Sequence, residues 1–204
     1  MENTVMENES ETVTRTTELL FDDQDFKREL TRAIACTDDQ KHDWHGVILF
    51  DPQEDGSIAI VGTDGFILYR GFLKPTEGRL TERRIYHASV LAKIIKLIKK
   101  TNRSMVSFDP SSGMFRYLYE SFQLVHHVIS YPRYPDMLMA KEKLMTDGQL
   151  TSGLFFNPEH MGKIMKTIGK ESGNFRFSIF DSINPSFIEI EKDKGVFIIM
   201  PYVG

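Results

Sequence analysis

The same order of sequence signals occurs three times along this chain: a short apolar run, an amphipathic helix about three turns long and three short strand-like runs. The three units begin near Leu19, Ile85 and Leu154. A single unit of this kind cannot bury the apolar face of its helix, so it must pack against a sister unit. The repeat therefore predicts an α+β fold in which the helices pack together on one side of antiparallel sheets.

Each predicted helix carries an apolar stripe at helical spacing, and turn residues separate the predicted strands. The stripes are Phe26, Leu30, Ala33 and Ile34, then Leu91, Ile94, Ile95 and Ile98, then Met161, Ile164, Met165 and Ile168. The predicted strands are 46–50, 57–61 and 66–72 in the first unit, 105–108, 114–119 and 122–130 in the second, and 175–180, 187–190 and 196–200 in the third. Residues 74–82 and 140–152 contain turn-forming residues and are predicted to link the units.

The length of 204 residues allows one large domain or two small ones. Residues 1–17 are polar and without periodicity, which predicts a disordered acidic tail. The single cysteine, Cys36, excludes an internal disulfide and is expected to pack as a small apolar group. The N-terminus lacks the features of a signal peptide, and no apolar run approaches a membrane span, so we expect a cytoplasmic protein.

Positive charge is concentrated on the predicted helices, although the formal net charge of the whole chain is −4. In the second helix the cations lie opposite the apolar stripe, whereas in the first helix Glu29 lies among them. Such faces suit the phosphate backbone of nucleic acid, and the alternative is an ordinary solvated helix face. The candidate DNA-binding residues are Lys27, Arg28, Arg32, Lys93, Lys96, Lys100, Arg103, Lys163, Lys166 and Lys170.

Four short segments resemble one known family, the bacterial DNA polymerase III β subunit, or DNA sliding clamp. Residues 62–68, Gly-Thr-Asp-Gly-Phe-Ile-Leu, resemble the Thr-Asp-Gly-x-x-Leu segment of its middle domain. Residues 134–136, Tyr-Pro-Asp, stand where the family has Phe-Pro-Asp-Tyr, and residues 181–186 resemble the turn before its last hairpin. Residues 197–202, Phe-Ile-Ile-Met-Pro-Tyr, resemble its terminal segment, so the resemblance covers residues 18–204.

The resemblance implies a domain division and an apolar peptide cleft. Residues 18–140 resemble a complete middle domain of two units, and residues 141–204 resemble the second half of the last domain. In the family, the matching motifs line a cleft into which polymerases, the clamp loader and repair proteins insert a short apolar peptide. The implied peptide-binding residues are Thr63, Gly65, Phe66, Ile67, Leu68, Pro135, Met139, Ile198, Met200, Pro201 and Tyr202.

The chain also departs from the family pattern. The family chain has six such units and this chain has three. Phe66 and Ile67 stand where His and Arg are usual, and Leu138 and Met139 replace two arginines, which makes the predicted groove more apolar. Residues 202–204, Tyr-Val-Gly, replace a terminal Met-Arg-Leu. Ring closure and the choice of partner therefore remain open.

The sequence offers little support for a metal site or for catalysis. His42 and His45 flank Asp43 without a third ligand at useful spacing, and His126 and His127 would point to opposite faces of a strand. Residues 62–65 lack the ending of a phosphate-binding loop, and nothing resembles a nucleophile with its base. We therefore predict a protein that is not an enzyme and needs no cofactor.

These features are compatible with three functions. The first is a sliding clamp-like processivity factor that binds duplex DNA through basic helices and tethers a polymerase or other protein with a clamp-binding peptide. The second is a non-encircling module that binds such peptides and regulates replication. The third is an enzyme on an unrelated α+β fold.

Self-association is a further expectation, because the third unit has no sister unit. Pairing of two third units across a two-fold axis would complete a domain, and the contact would be isologous. The alternative is that the third unit packs on the edge of the first domain.

Overall fold

The computed structural model describes residues 18–38, 45–99, 104–126, 156–169, 174–179, 185–192 and 194–200. The first unit contains β1 (Leu19–Asp22), α1 (Asp23–Ala35), β2 (Val47–Pro52), β3 (Ile58–Thr63) and β4 (Ile67–Leu73). The second contains β5 (Arg84–His87), α2 (Ala88–Leu97), β6 (Met105–Asp109), β7 (Met114–Tyr117) and β8 (Glu120–Gln123). The third contains α3 (Pro158–Ile168), β9 (Phe175–Ser178), β10 (Ser186–Ile190) and β11 (Val196–Ile199).

The predicted α+β class, with helices packed on antiparallel sheets, is confirmed. Most strand ends lie within two residues of the prediction, but β8 spans Glu120–Gln123 where 122–130 was predicted. The tail 1–17, the linker 140–152 and the apolar run near Leu154 lie outside the described residues. Among the residues that the structure describes, no helix is long and apolar enough to cross a membrane.

The first two units are interlocked because each gives its first strand to the sheet of the other. Strand β1 pairs with β6 in the four-stranded sheet β1-β6-β7-β8, with Leu19 opposite Phe108. Strand β5 pairs with β2 in the seven-stranded sheet β5-β2-β3-β4-β11-β10-β9, with Val47 opposite His87. Each of the two sheets therefore contains strands of both units.

The third unit extends the sheet that contains β4. Strand β11 pairs with β4 in antiparallel register, from Val196 opposite Arg70 to Ile199 opposite Ile67. Helix α1 contacts both α2 and α3, so the three helices form one layer with α1 in the middle. The third unit thus packs on the edge of the first, which is the alternative that the sequence left open.

Two apolar clusters hold this arrangement together. The main core contains side chains from all three helices and both sheets, including Phe26, Leu91 and Ile164. Cys36 is fully buried in it, as predicted. A second cluster, here called the opposite-face cluster, contains no helical residue. Its buried members are Val47, Leu49, Ala59, Val61, Leu68, Ile85, Phe187 and Ile198.

Helices α1 and α3 start where the sequence provides capping side chains. The Asp22 carboxylate accepts hydrogen bonds from the backbone N–H groups of Gln24 and Asp25 at 2.9 and 3.0 Å. Asn157 caps α3 in the same way through the N–H of Glu159, and Pro158 occupies the first turn. Such caps satisfy backbone donors that a helix leaves unpaired, and each contributes about 1 kcal/mol.

Candidate nucleic-acid interface and peptide cleft

Helix α2 presents its cations to solvent. Lys93 and Lys96 of α2 are exposed, as is Lys99 two residues after its end, whereas Leu91 and Ile94 on the other side of the helix are fully buried. None of the three lysines forms an ion pair with another residue that the structure describes. Lys93 and Lys96 are exposed, as the sequence predicts, and Lys99 was not among the candidate residues.

Helix α1 differs from the prediction because its cations are engaged by neighbouring groups. The ammonium group of Lys27 donates to the backbone carbonyl of Ile98, at the end of α2. The Arg28 guanidinium forms ion pairs with Asp25 and Glu29. The placement of Arg32 on an exposed face was wrong, since Arg32 is only 1% exposed. The acids at positions 25 and 29 were the sequence signal that could have indicated this.

Arg32 belongs to a buried polar group between α1 and β4. The Tyr69 hydroxyl donates to the Glu29 carboxylate at 2.6 Å, and the Arg32 guanidinium donates to the Tyr69 hydroxyl at 3.4 Å. Burial raises the pKa of Glu29 above its ordinary value, against the opposing effects of Tyr69 and Arg28. Burial also raises the pKa of Tyr69, so this hydroxyl stays a hydrogen-bond donor. These hydrogen bonds therefore join helix α1 to strand β4.

Helix α3 has one lysine that faces carboxylates, Lys163, and one that faces solvent, Lys166. The Lys163 ammonium group lies 3.5 Å from Glu159 and 4.0 Å from the Asp64 carboxylate. Lys166 is exposed and has no ion-pair partner within the described residues. The remaining candidates, Lys100, Arg103 and Lys170, lie outside the described residues.

The turn between β3 and β4 is held by its own side chains. The Asp64 carboxylate accepts from the backbone N–H groups of Phe66 and Ile67, both at 2.9 Å. The Thr63 hydroxyl donates to the carbonyl of Ile67 at 2.8 Å and accepts from the N–H of Gly65 at 3.1 Å. Gly65 has φ of 88°, a conformation that favours glycine. These contacts explain why Thr, Asp and Gly occur together here.

The pairing of β4 with β11 brings together the first and the last of the four segments that resemble the family, 62–68 and 197–202. Ile198 lies opposite Leu68, and the backbone N–H of Met200 donates to the carbonyl of Phe66 at 2.9 Å. Leu68 and Ile198 are 3% and 0% exposed, and they pack in the opposite-face cluster with Phe187.

The peptide-cleft candidates therefore divide into a buried set and an accessible set. Thr63, Ile67, Leu68 and Ile198 are buried, whereas Gly65 and Phe66 are exposed and Met200 is half-buried. The Phe66 side chain is 51% exposed. The other candidates, Pro135, Met139, Pro201 and Tyr202, lie outside the described residues.

Two contacts between this turn and α3 were missed by the sequence analysis. The ring of Phe66 stacks on the imidazole of His160 with centroids 5.5 Å apart. The Asp64 carboxylate is 1% exposed and faces Lys163. Both contacts join residues far apart in sequence, so no local pattern could have indicated them. They fix the position of α3 beside the turn.

One of the histidines considered as a metal ligand, His126, has a structural partner. The Nδ1 atom of His126 accepts a hydrogen bond from the backbone N–H of Ile85 at 3.0 Å. No cluster of three or more His, Cys, Asp or Glu side chains that could hold a metal occurs in the described part of the chain.

This architecture, with paired units that exchange strands and helices in one layer, is the fold of the DNA sliding clamps. A sliding clamp from Bacillus subtilis superposes with a TM-score of 0.74 at 11% identity, over 92% of this chain and 64% of that one. The Caulobacter crescentus pol III beta chain gives a TM-score of 0.72 at 11% identity, over 98% and 69%. A Pseudomonas aeruginosa sliding clamp with a ligand gives 0.70 at 15% identity, over 93% and 66%.

The chain thus spans about two thirds of the length of these clamps, and the likeness establishes its fold. No protein-family model matches the sequence. No curated protein matches it either.

Proposed function

We propose that this chain is a clamp-like processivity factor that binds duplex DNA without sequence preference and tethers a replication protein. The observation that carries the proposal is the helix layer. Lys93 and Lys96 of α2, Lys99 just after α2 and Lys166 of α3 are exposed to solvent there. Phosphate contacts made by lysine supply affinity without reading sequence, which suits a protein that moves along DNA. This role requires no catalysis, so we also propose that the chain is not an enzyme.

The tethering part of the proposal rests on the turn between β3 and β4. Phe66 and Met200 are accessible apolar side chains at the end of the β4–β11 pair, and the hydrogen bond from the Met200 N–H to the Phe66 carbonyl holds the two residues together. Aromatic and methionine side chains form adaptable surfaces for short apolar peptides. We propose that a clamp-binding peptide of a polymerase or another replication protein docks there.

A second candidate is a non-encircling module that binds such peptides and regulates replication. The engagement of Lys27, Arg28 and Arg32 by protein groups favours it, because the middle helix of the layer then offers little free positive charge. A module that only binds peptides would work without cations on its helices, so it would not need to bind duplex DNA. Binding to duplex DNA therefore separates the two candidates.

The division into residues 18–140 and 141–204 and the cytoplasmic location stay predictions. The exchange of β1 and β5 supports the first of these, because it makes the first two units depend on each other.

The decisive experiment measures binding to a labelled DNA duplex by fluorescence anisotropy at several salt concentrations. The test variant replaces Lys93, Lys96 and Lys99 with Glu. Each lost phosphate contact lowers the slope of log affinity against log salt by about 0.9, so we expect a slope lower by about 3 and much weaker binding.

The matched control replaces Lys74, Lys192 and Lys194 with Glu. These lysines are exposed outside the helices, so the control has the same change in net charge. It should keep most of the affinity. Equal loss in both variants, or unchanged binding in the test variant, would show that the helix layer is not the DNA surface.

A further inference from the structure

The Phe66 ring at the proposed peptide site is held from the side of helix α3. Its side chain is 51% exposed, and the ring stacks on the imidazole of His160. The ring centroids are 5.5 Å apart, and the ring planes are inclined by only 26°. Aromatic rings in such arrangements attract one another. The stack therefore restricts the positions that an exposed phenyl ring can take.

The backbone on both sides of this stack is fixed by hydrogen bonds. In the turn, the N–H of Phe66 donates to the Asp64 carboxylate, and the carbonyl of Phe66 accepts from the N–H of Met200, both at 2.9 Å. On the other side, His160 lies in the first turn of α3, directly after the cap that Asn157 provides. The two rings thus meet in a defined geometry.

The imidazole of His160 lies next to the surface on which a peptide would dock. His160 is half-buried, so part of its side chain contacts water. Because the two rings are in contact, an apolar peptide that covers Phe66 also covers the neighbouring imidazole. Docking therefore removes water from His160.

The charged groups around His160 that the structure describes compensate one another. Glu159 and Lys163, on the same helix, lie 3.5 Å apart, and Asp64 in the facing turn lies 4.0 Å from Lys163. At the end of α1, burial raises the pKa of the Cys36 thiol, so this thiol stays uncharged. Within the described residues, none of these groups forms an ion pair with His160. A protonated imidazole thus has no carboxylate of its own here.

Histidine is the side chain that ordinarily changes its charge between about pH 5 and pH 8. Removing water from a charged imidazole costs free energy unless an opposite charge replaces the water. A neutral imidazole lacks this cost and still stacks on a phenyl ring. An apolar peptide should therefore bind the neutral form of this site more tightly than the protonated form.

We propose that His160 is a positioning residue of the peptide site, which holds the Phe66 ring for docking while neutral and weakens docking when protonated. This role rests on the proposed function, because it requires that an apolar peptide docks on Phe66. The consequence is a dependence on pH. Peptide affinity is highest where the imidazole is neutral, and it falls as the pH decreases through the range in which the imidazole is protonated.

The test is the affinity of the full chain for a fluorescent clamp-binding peptide, measured by anisotropy at several values between about pH 5 and pH 8. The peptide is acetylated and amidated and has no residue that titrates in this range. We expect the parent to bind about threefold more weakly, or weaker still, at the low end of the range.

Two substitutions separate the stack from the titration. His160→Gln removes both, so it should bind more weakly than the parent at the high end of the range and lose most of the pH dependence. His160→Phe restores an aromatic contact without a titrating group. It should bind more tightly than His160→Gln and show an equally flat profile. A purely structural role of His160 would leave the pH profile unchanged.

The matched control is His87→Gln, because His87 is an exposed histidine on β5, which two strands separate from β4. It should keep the pH profile of the parent. Equal profiles in the parent and His160→Gln, or loss of the pH dependence in the control, would overturn the role of His160 and leave the peptide site standing. A parent that binds no peptide at any pH would instead refute the proposed tethering, and this role with it.

A second measurement follows the imidazole itself by NMR in the full chain. At a constant pH near 6.5, where histidine is ordinarily half protonated, adding the peptide should move the His160 resonances toward their high-pH positions. Movement toward the low-pH positions, or no movement at saturating peptide, would overturn the proposal.

Discussion

The Asp64 carboxylate lies 4.0 Å from the Lys163 ammonium group and is almost completely shielded from water. One of its oxygen atoms is satisfied by the β3–β4 turn, and the other has no hydrogen-bond partner among the described residues. The positive charge of α3 is therefore what compensates this second oxygen. The pair joins a turn of the first unit to the helix of the third.

We expect Lys163→Met to lower the free energy of unfolding by about 1–3 kcal/mol, because it leaves a buried carboxylate uncompensated. Lys166→Met is the control, since Lys166 is exposed one turn away, and it should change stability by less than about 0.5 kcal/mol. Urea unfolding measures both. In an Asp64→Asn background, the cost of Lys163→Met should largely vanish. An equal cost in both backgrounds would contradict a pairwise interaction.

The peptide cleft can be tested at its exposed aromatic side chain. Phe66→Ala should weaken binding of a fluorescent clamp-binding peptide about tenfold, since truncation of an aromatic anchor typically costs more than 1 kcal/mol. Tyr119→Ala removes another exposed aromatic side chain, far from the turn in sequence, and should leave the affinity unchanged. If both variants bind the peptide like the parent, the cleft is not at this turn.

Glu29 is expected to make stability depend on pH. Its pKa in the folded protein is raised by burial above the ordinary value of 4.5. Its contribution is therefore complete below pH 4.5 and is lost as the pH rises through the folded pKa. Glu29→Gln should remove this loss, so the difference in unfolding free energy between variant and parent should change as the pH rises above 4.5. A constant difference would argue against the raised pKa.

Replacing each of two glycines with alanine should change the free energy of unfolding in opposite directions. Gly71 lies against Glu29 and Tyr69, so a methyl group would displace this buried pair, and Gly71→Ala should cost about 1–3 kcal/mol. Gly162 lies within α3 with open space around it, so Gly162→Ala should stabilise the protein by about 0.5–1 kcal/mol. Thermal unfolding of the two variants would check both signs, and destabilisation by Gly162→Ala would show that this position is not open.

The repeat in the sequence was enough to predict the helices, most strands and the α+β class, because periodicity reports which face of an element is buried. Periodicity does not report the partner of a strand. The exchange of β1 and β5 and the pairing of β4 with β11 are long-range contacts, so they had to be seen in the structure.

Charge patterns had a similar limit at the candidate site. Lys93 and Lys96 lie on an exposed face as expected. Arg32 was expected to be exposed in α1 for the same reason, but it is buried in the core. A cation opposite an apolar stripe is exposed only if no neighbouring element covers it. Here Tyr69 on β4 supplies a partner that the local sequence around Arg32 does not contain.

The pairing of β4 with β11 has a consequence for how the protein is made. During translation, β4 leaves the ribosome long before β11, so its edge has no partner while the intervening segments are synthesised. Formation of this pair must therefore be late, and it depends on a large loop closure. We expect nascent chains stalled before residue 196 to present the backbone of Ile67 and Leu68 to other chains or to chaperones.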